Sequence, residues 1–109
     1  KTDQLPFHND AFEAAILDNV MEHIETPDNL LSEINRVLVN KGKLLVGVPG
    51  QKGFSWDPDH KVFYDIKTLK EVMETNGYIY DKHFYMPFRC ACLDNVFRQY
   101  CLYSIFNAN

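Results

Sequence analysis

Glu22 and His23 stand side by side shortly after an apolar run, and this pair is the clearest seat for proton chemistry in the chain. An imidazole titrates near neutrality and can take a proton from a reacting group. The plainer alternative is that His23 caps or packs under the helix that follows. Asp18, Asn19 and Val20 close the same apolar run. Ligands of open α/β sheets collect outside the carboxyl ends of strands, so this turn is a candidate binding edge. A second cluster, Trp56-Asp57-Pro58-Asp59-His60, joins an aromatic, two acids and an imidazole in one loop. Trp56 and His60 are its candidate substrate contacts. No metal is expected there, because the loop has no second cluster spaced like H-x-x-x-H.

The remaining reactive side chains point to less. Cys90 and Cys92 form C-x-C, and Cys101 stands apart with no histidine beside it, so a zinc site is not expected. An odd number of late cysteines makes no disulfide framework, and reduced thiols in the cytoplasm are the simpler expectation. His8 and His83 are expected at the surface or in packing. Gly47, Gly50 and Gly53 give G-x-x-G-x-x-G. That spacing differs from G-x-G-x-x-G, and no helix opens behind it, so it is not expected to cradle a phosphate.

The candidate residues need elements to position them. Residues 11–17 are a short apolar run with one charge, the pattern of a strand buried on both faces. Thr26-Pro27-Asp28 reads as a helix start, with Thr26 as N-cap and Pro27 as the first helical residue. Leu30, Leu31, Ile34, Val37 and Leu38 form one apolar stripe, and Asn40-Lys41-Gly42 reads as its stop. Leu44 to Val48 is the next buried strand. Two strands joined by a helix in this length make a parallel crossover. Asp65 caps a second helix that ends at Gly77. Residues 78–86 read as a third strand, 87–97 as irregular or a short helix, and 98–106 as a last strand.

Bulk properties narrow the class. The 109 residues suffice for one domain with a modest core. Apolar residues make up 46% and charged residues 24%, and the net charge is −4. Without a basic block, nucleic acid is not an expected partner. No apolar run approaches the roughly 20 residues of a membrane span, and no signal peptide shows at the amino end.

The segment LPFHNDAFEAAILDNVMEHIETPDNLLSEINRVLVNKGKLLVGVP, Leu5 to Pro49, resembles class I S-adenosylmethionine-dependent methyltransferases of the small-molecule type. The likeness rests on Leu-Pro-Phe, a polar turn, an apolar strand, Glu22-His23, the Pro27-Asp28 helix start and the Arg36-Val37-Leu38 ending. Asp59-His60 through Tyr64, the second helix and Asn76-Gly77-Tyr78 extend it. Glu13 stands where the family has Asp, and Asn40-Lys41-Gly42 replaces Pro-Gly-Gly. The family's Gly-rich cofactor loop and the acidic residue after its second strand have no counterpart here.

The resemblance implies a partial Rossmann-like α/β fold, β-α-β-α-β-β, mainly parallel with an antiparallel last strand. Residues 1–109 would form a single partial domain lacking the Gly-rich loop. It implies S-adenosyl-L-methionine as cofactor and a small-molecule acceptor. Cofactor contact is expected from Asp18, Asn19 and Val20, and from Asp3, Gln4 and Leu5 ahead of the strand. Glu22 and His23 would face the acceptor. The isolated chain is expected to bind cofactor weakly, and its first strand to leave an edge that a second copy or an upstream segment would cover. Two other classes stand beside this reading. One is a non-catalytic α/β interaction module. The other is a metal-dependent hydrolase using Asp57, Asp59 and His60.

Overall fold

The computed structural model describes residues 4–50, 61–86 and 101–109. Strand β1 is Phe12–Asp18, helix α1 Asp28–Val37 and strand β2 Leu38–Pro49. Helix α2 is Ile66–Thr75, followed by β3, Ile79–Met86, and β4, Cys101–Asn107. A short 3-10 turn, Met21–His23, lies between β1 and α1. The described strands form one sheet in the order β1-β2-β4-β3. The pair β1–β2 is parallel, as the crossover requires, and β4 is antiparallel to both β2 and β3. Strands β1, β2 and β3 therefore run one way and the last strand runs against them. Because β4 inserts between β2 and β3, two of the three pairings are antiparallel although most strands point together.

The core lies on one face of this sheet. Leu44, Val46 and Val48 of β2 alternate inward with Leu102 and Phe106 of β4. Leu31 and Ile34 of α1, and Leu69 and Met73 of α2, pack onto them. The Tyr78 hydroxyl donates to the Leu31 carbonyl at 2.7 Å, joining the approach to β3 to α1 inside the core. Burial pushes the Tyr78 phenol well above its ordinary range.

Local chemistry explains the second helix. The Asp65 carboxylate accepts from the Thr68 amide at 2.8 Å, and the Thr68 hydroxyl accepts from the Asp65 amide at 3.0 Å. This reciprocal pair satisfies two amide donors at the helix start. The helix ends at Thr75, and Gly77 just beyond it turns the chain away with a φ of +91°, a left-handed conformation that glycine adopts without strain.

Three sequence expectations are corrected. Strand β1 is not buried on both faces: Leu17 is buried, but Ile16 is 67% exposed and Phe12 38%. Both described helices pack on the other face of the sheet from Ile16, and β1 lies at a sheet edge, so its apolar run is half covered. Thr26 is not the N-cap; Pro27 holds that position, with its carbonyl accepting from the Leu31 amide at 2.9 Å. The helix also stops earlier than Asn40-Lys41-Gly42. It ends at Val37, and Leu38 already pairs with Phe12 in the sheet. Asn40-Lys41-Gly42 is an outward bend inside β2. The register passes from Phe12↔Leu38 to Ala14↔Lys43, with Lys41 at φ +69°. Ala108 holds the bend, accepting from the Lys41 amide at 3.0 Å and donating to the Gly42 carbonyl at 2.7 Å. A Cβ at Gly42 would stand 2.9 Å from the Val39 carbonyl oxygen, so the bend needs glycine.

Residues 87–97, expected to be irregular or a short helix, and the expected start of the last strand at Arg98 lie outside the described residues.

Candidate functional site

The carboxyl ends of β1 and β2 come together at Asp18 and Gly47, which are paired in register. The chain leaves β1 through Asn19, whose φ of +59° suits asparagine better than most side-chain-bearing residues. The Asn19 amide donates to the Gly47 carbonyl at 2.8 Å, and its side-chain nitrogen donates to Asp18 Oδ1 at 3.2 Å. Both residues are exposed. The strand end thus presents an accessible carboxylate on a pinned turn.

Val20 leads into the 3-10 turn, and its carbonyl accepts from the His23 amide at 3.1 Å. Glu22 is fully buried there, with one carboxylate oxygen 3.5 Å from His23 Nε2. The His23 side chain is 31% exposed, so the imidazole has one side against the buried acid and another toward solvent. The main chain of Glu22 is as important as its side chain. Its carbonyl accepts from the amides of Lys61 and Val62, at 2.6 and 3.1 Å. The segment that enters α2 is thereby stitched to the turn that carries His23. Tyr64, on the same segment, is buried, and its phenol is pushed up by burial and by the charges of Asp28 and Glu22.

Gln4 and Leu5 lie past the other end of this turn, away from Asp18. They line a cleft of about 210 Å³ with Ile24, Thr26, Asn29, Leu30 and Glu33. Leu5 is held by α1. Its amide donates to Glu33 Oε1 at 2.8 Å, and its carbonyl accepts from Arg36 at 3.1 Å. Arg36 also grips Glu33 with two bonds of 3.0 Å, and this hydrogen bonding, with the Leu5 amide, holds the Glu33 carboxyl below its usual range. The structure therefore brings Asp18, Asn19, Val20, Glu22 and His23 onto one continuous turn. Gln4 and Leu5 sit beside the far end of that turn, near Ile24 and Thr26. Asp3, Trp56, His60, Asp57 and Asp59 lie outside the described residues. Among the described residues no group of three His, Cys, Asp or Glu side chains is placed to hold a metal. None of the described helices is long and apolar enough to cross a membrane.

Sequence reasoning missed Tyr103. It faces Gly47 in register on β4, and its ring and Asp18 Oδ1 converge over the bare backbone of Gly47. Burial, then the neighbouring charges of Cys101 and Asp18, push its phenol up to about 12. A missing side chain at Gly47 was the available signal, because a glycine in mid-strand often marks a close approach by a neighbour.

Comparison with known proteins agrees with this architecture. A family model described as a methyltransferase domain matches residues 1–46. An uncharacterized protein of Methanocaldococcus jannaschii is 34% identical over 77 residues, which are 68% of this chain and 33% of that protein. A second uncharacterized protein of the same organism is 32% identical over 54 residues, 50% of this chain and 26% of its own length. The chain thus spans a third or less of the curated relatives it matches. Among solved structures, a chain of the complex between the Haloferax volcanii Trm112 methyltransferase activator and a methyltransferase superposes with a TM-score of 0.74 at 14% identity. That match covers 97% of this chain and 58% of that one. The cyclase SpnF gives 0.71 at 16%, covering 95% and 53%. An S-adenosylmethionine-dependent methyltransferase from Listeria monocytogenes gives 0.71 at 12%, covering 98% and 66%. With the mixed four-stranded sheet, its antiparallel β4 and the turn after β1, these likenesses show that the chain carries part of the class I S-adenosylmethionine-dependent methyltransferase fold.

Proposed function

We propose that this chain takes part in methyl transfer from S-adenosyl-L-methionine to a small-molecule acceptor, as the acceptor-side part of a larger methyltransferase domain. The observation that carries the reading is the single turn after β1. It sets an exposed carboxylate, Asp18, beside a pinned Asn19 and then a half-buried imidazole, His23, backed by buried Glu22. The cofactor carries an ammonium, ribose hydroxyls and an adenine amine, all donors, and an exposed carboxylate at a strand end suits them. Asp18, Asn19 and Val20 would hold it from this side, with Asp3, Gln4 and Leu5 as further contacts. Bound there, it supplies the transferable methyl group.

Methyl transfer from a sulfonium is an in-line displacement, so most of the protein's contribution is alignment, worth up to about 7–11 kcal/mol in favourable cases. His23 would accept the proton of an acceptor that must lose one, with Glu22 holding the ring from its buried side. Lys61 and Val62 are bonded to the Glu22 carbonyl, which supports a role for the preceding loop, with Trp56 and His60, in holding the acceptor. Residues 1–109 act in this reading as one partial domain of a cytoplasmic enzyme. Strand β1, at the edge of the described sheet with Ile16 and Phe12 exposed, would be covered by further chain or by a second copy.

Isothermal titration with S-adenosylmethionine tests the reading. Binding by the full-length protein, with little or none by residues 1–109 alone, is the expected result. A second reading, a non-catalytic interaction module, draws on the exposed β1 edge, and the likeness to a cyclase shows that this fold is not confined to methyl transfer. A folded full-length protein that binds no cofactor would favour the module.

A further inference from the structure

One row of residues crosses the whole described sheet at its ligand end: Asp18 of β1, Gly47 of β2, Tyr103 of β4 and Phe84 of β3. Residues opposite one another in a sheet share a face, so the Tyr103 ring lies toward β1 across the bare backbone of Gly47. The fit is close. A Cβ at position 47 would meet Asp18 Oδ1 at 2.7 Å and Tyr103 Cδ1 at 2.8 Å, distances that real contacts do not show. From the other side Phe84 stacks on the Tyr103 ring, with centroids 5.7 Å apart and planes 20° from parallel. The ring is thus held between Gly47 and Phe84, with Asp18 Oδ1 beside it over the same glycine. Asp18 itself stays exposed, and a carboxylate has lone pairs for about four donors, so the bond from Asn19 leaves acceptor capacity both toward Tyr103 and toward the strand ends.

We propose that Tyr103 is a positioning residue. Its hydroxyl, reaching across Gly47, holds the Asp18 carboxylate in the orientation that receives the ammonium group of bound S-adenosylmethionine. The inference rests on the cofactor reading given above and deepens it. A carboxylate prefers a cationic donor, since charge-assisted hydrogen bonds are roughly twice as strong as neutral ones. An exposed carboxylate free to rotate would lose much of that advantage to ordering cost, and the hydroxyl removes the rotation beforehand. The tyrosine acts through Asp18 and need not touch the cofactor.

The test uses the full-length protein, with Tyr103→Phe, Asp18→Asn and the double variant. Affinity is measured for S-adenosylmethionine, for S-adenosylhomocysteine, which keeps the ammonium, and for methylthioadenosine, which lacks it. Phe retains the stacked ring, so Tyr103→Phe is expected to fold with a near-normal melting temperature. It should weaken both ammonium-bearing ligands about five- to tenfold, as loss of support for a charged hydrogen bond would. Methylthioadenosine affinity should not change. In the Asp18→Asn background, Tyr103→Phe should add no further loss. Unchanged affinity in a folded Tyr103→Phe protein, equal weakening of methylthioadenosine, or additive losses in the double variant would overturn the proposal. If Tyr103→Phe does not fold, Asp18→Asn at its exposed position carries the comparison: weakening that spares methylthioadenosine supports the role of Asp18, and equal affinities overturn it. A folded wild-type protein that binds none of the three ligands would instead overturn the cofactor reading itself.

Discussion

The main-chain carbonyl of Glu22 accepts from the amide of Lys61 at 2.6 Å, across a long stretch of sequence. This bond ties the turn after β1 to the segment that leads into α2. It places His23 where two parts of the chain converge, against the buried Glu22 carboxylate. If His23 takes a proton during turnover, as proposed, His23→Asn in the full-length protein should lower kcat by about 100- to 10,000-fold, the ordinary span of acid–base contributions. Cofactor affinity should change little. Steady-state kinetics beside isothermal titration checks both, and a variant that loses affinity while keeping kcat would place His23 in binding instead.

Gly47→Ala should destabilise the protein by about 1–3 kcal/mol, the usual cost of forcing extra volume into a packed site. The added methyl would meet Asp18 Oδ1 and the Tyr103 ring. The ring cannot retreat freely, because Phe84 stacks behind it. Urea denaturation measures the loss, and an unchanged midpoint would show that the Tyr103 ring does not lie over Gly47.

Stability should fall in alkali. Tyr64, Tyr78 and Tyr103 all have their phenols raised above the ordinary value, chiefly by burial, and Tyr103 reaches about 12. Between the unfolded value near 10 and the folded value, the native state holds protons that the unfolded chain has released. Stability from these groups is therefore complete below about pH 10 and is lost as pH rises through the folded values. Thermal melts between pH 8 and 12 should show a falling midpoint. Spectrophotometric titration should show a late-ionising tyrosine, which Asp18→Asn shifts to lower pH by removing its charged partner.

Glu33 and Asp65 work in the opposite direction. The Arg36 hydrogen bonds lower Glu33, and the Thr68 amide lowers Asp65. Each stabilises above its unfolded value near 4 and loses that effect as pH falls through the folded value. Asp65→Ala should cost about 1 kcal/mol through the lost cap. Glu33→Ala should leave that helix unaffected and free the Leu5 amide, so hydrogen exchange at Leu5 should quicken while exchange in α2 does not.

What the sequence made legible was local. Asp65 and Gly77 announce the ends of α2 because a carboxylate cap and a left-handed glycine act within one turn of chain. The partial Rossmann-like order and the antiparallel last strand followed from periodicity and family resemblance. Asn40-Lys41-Gly42 was misleading because a helix stop and a strand bend use the same small, polar residues; Ala108, far along the chain, decides between them. The burial of β1 was overread because apolar composition does not reveal which face has a neighbour. Glu22 to Lys61 was invisible because a loop packing back on a turn leaves no local signal, and Asp18 to Tyr103 because sheet order brings them together. The insertion of β4 between β2 and β3 carries Tyr103 to the carboxyl end of β2.

Isothermal titration of the full-length protein with S-adenosylmethionine, wild type beside Asp18→Asn, decides whether the turn from Asp18 to His23 forms one side of the proposed cofactor site. Saturable binding by wild type is expected, with binding weakened about five- to tenfold in the folded variant. Equal affinities, or no binding by folded wild type, would rule the turn out as that site.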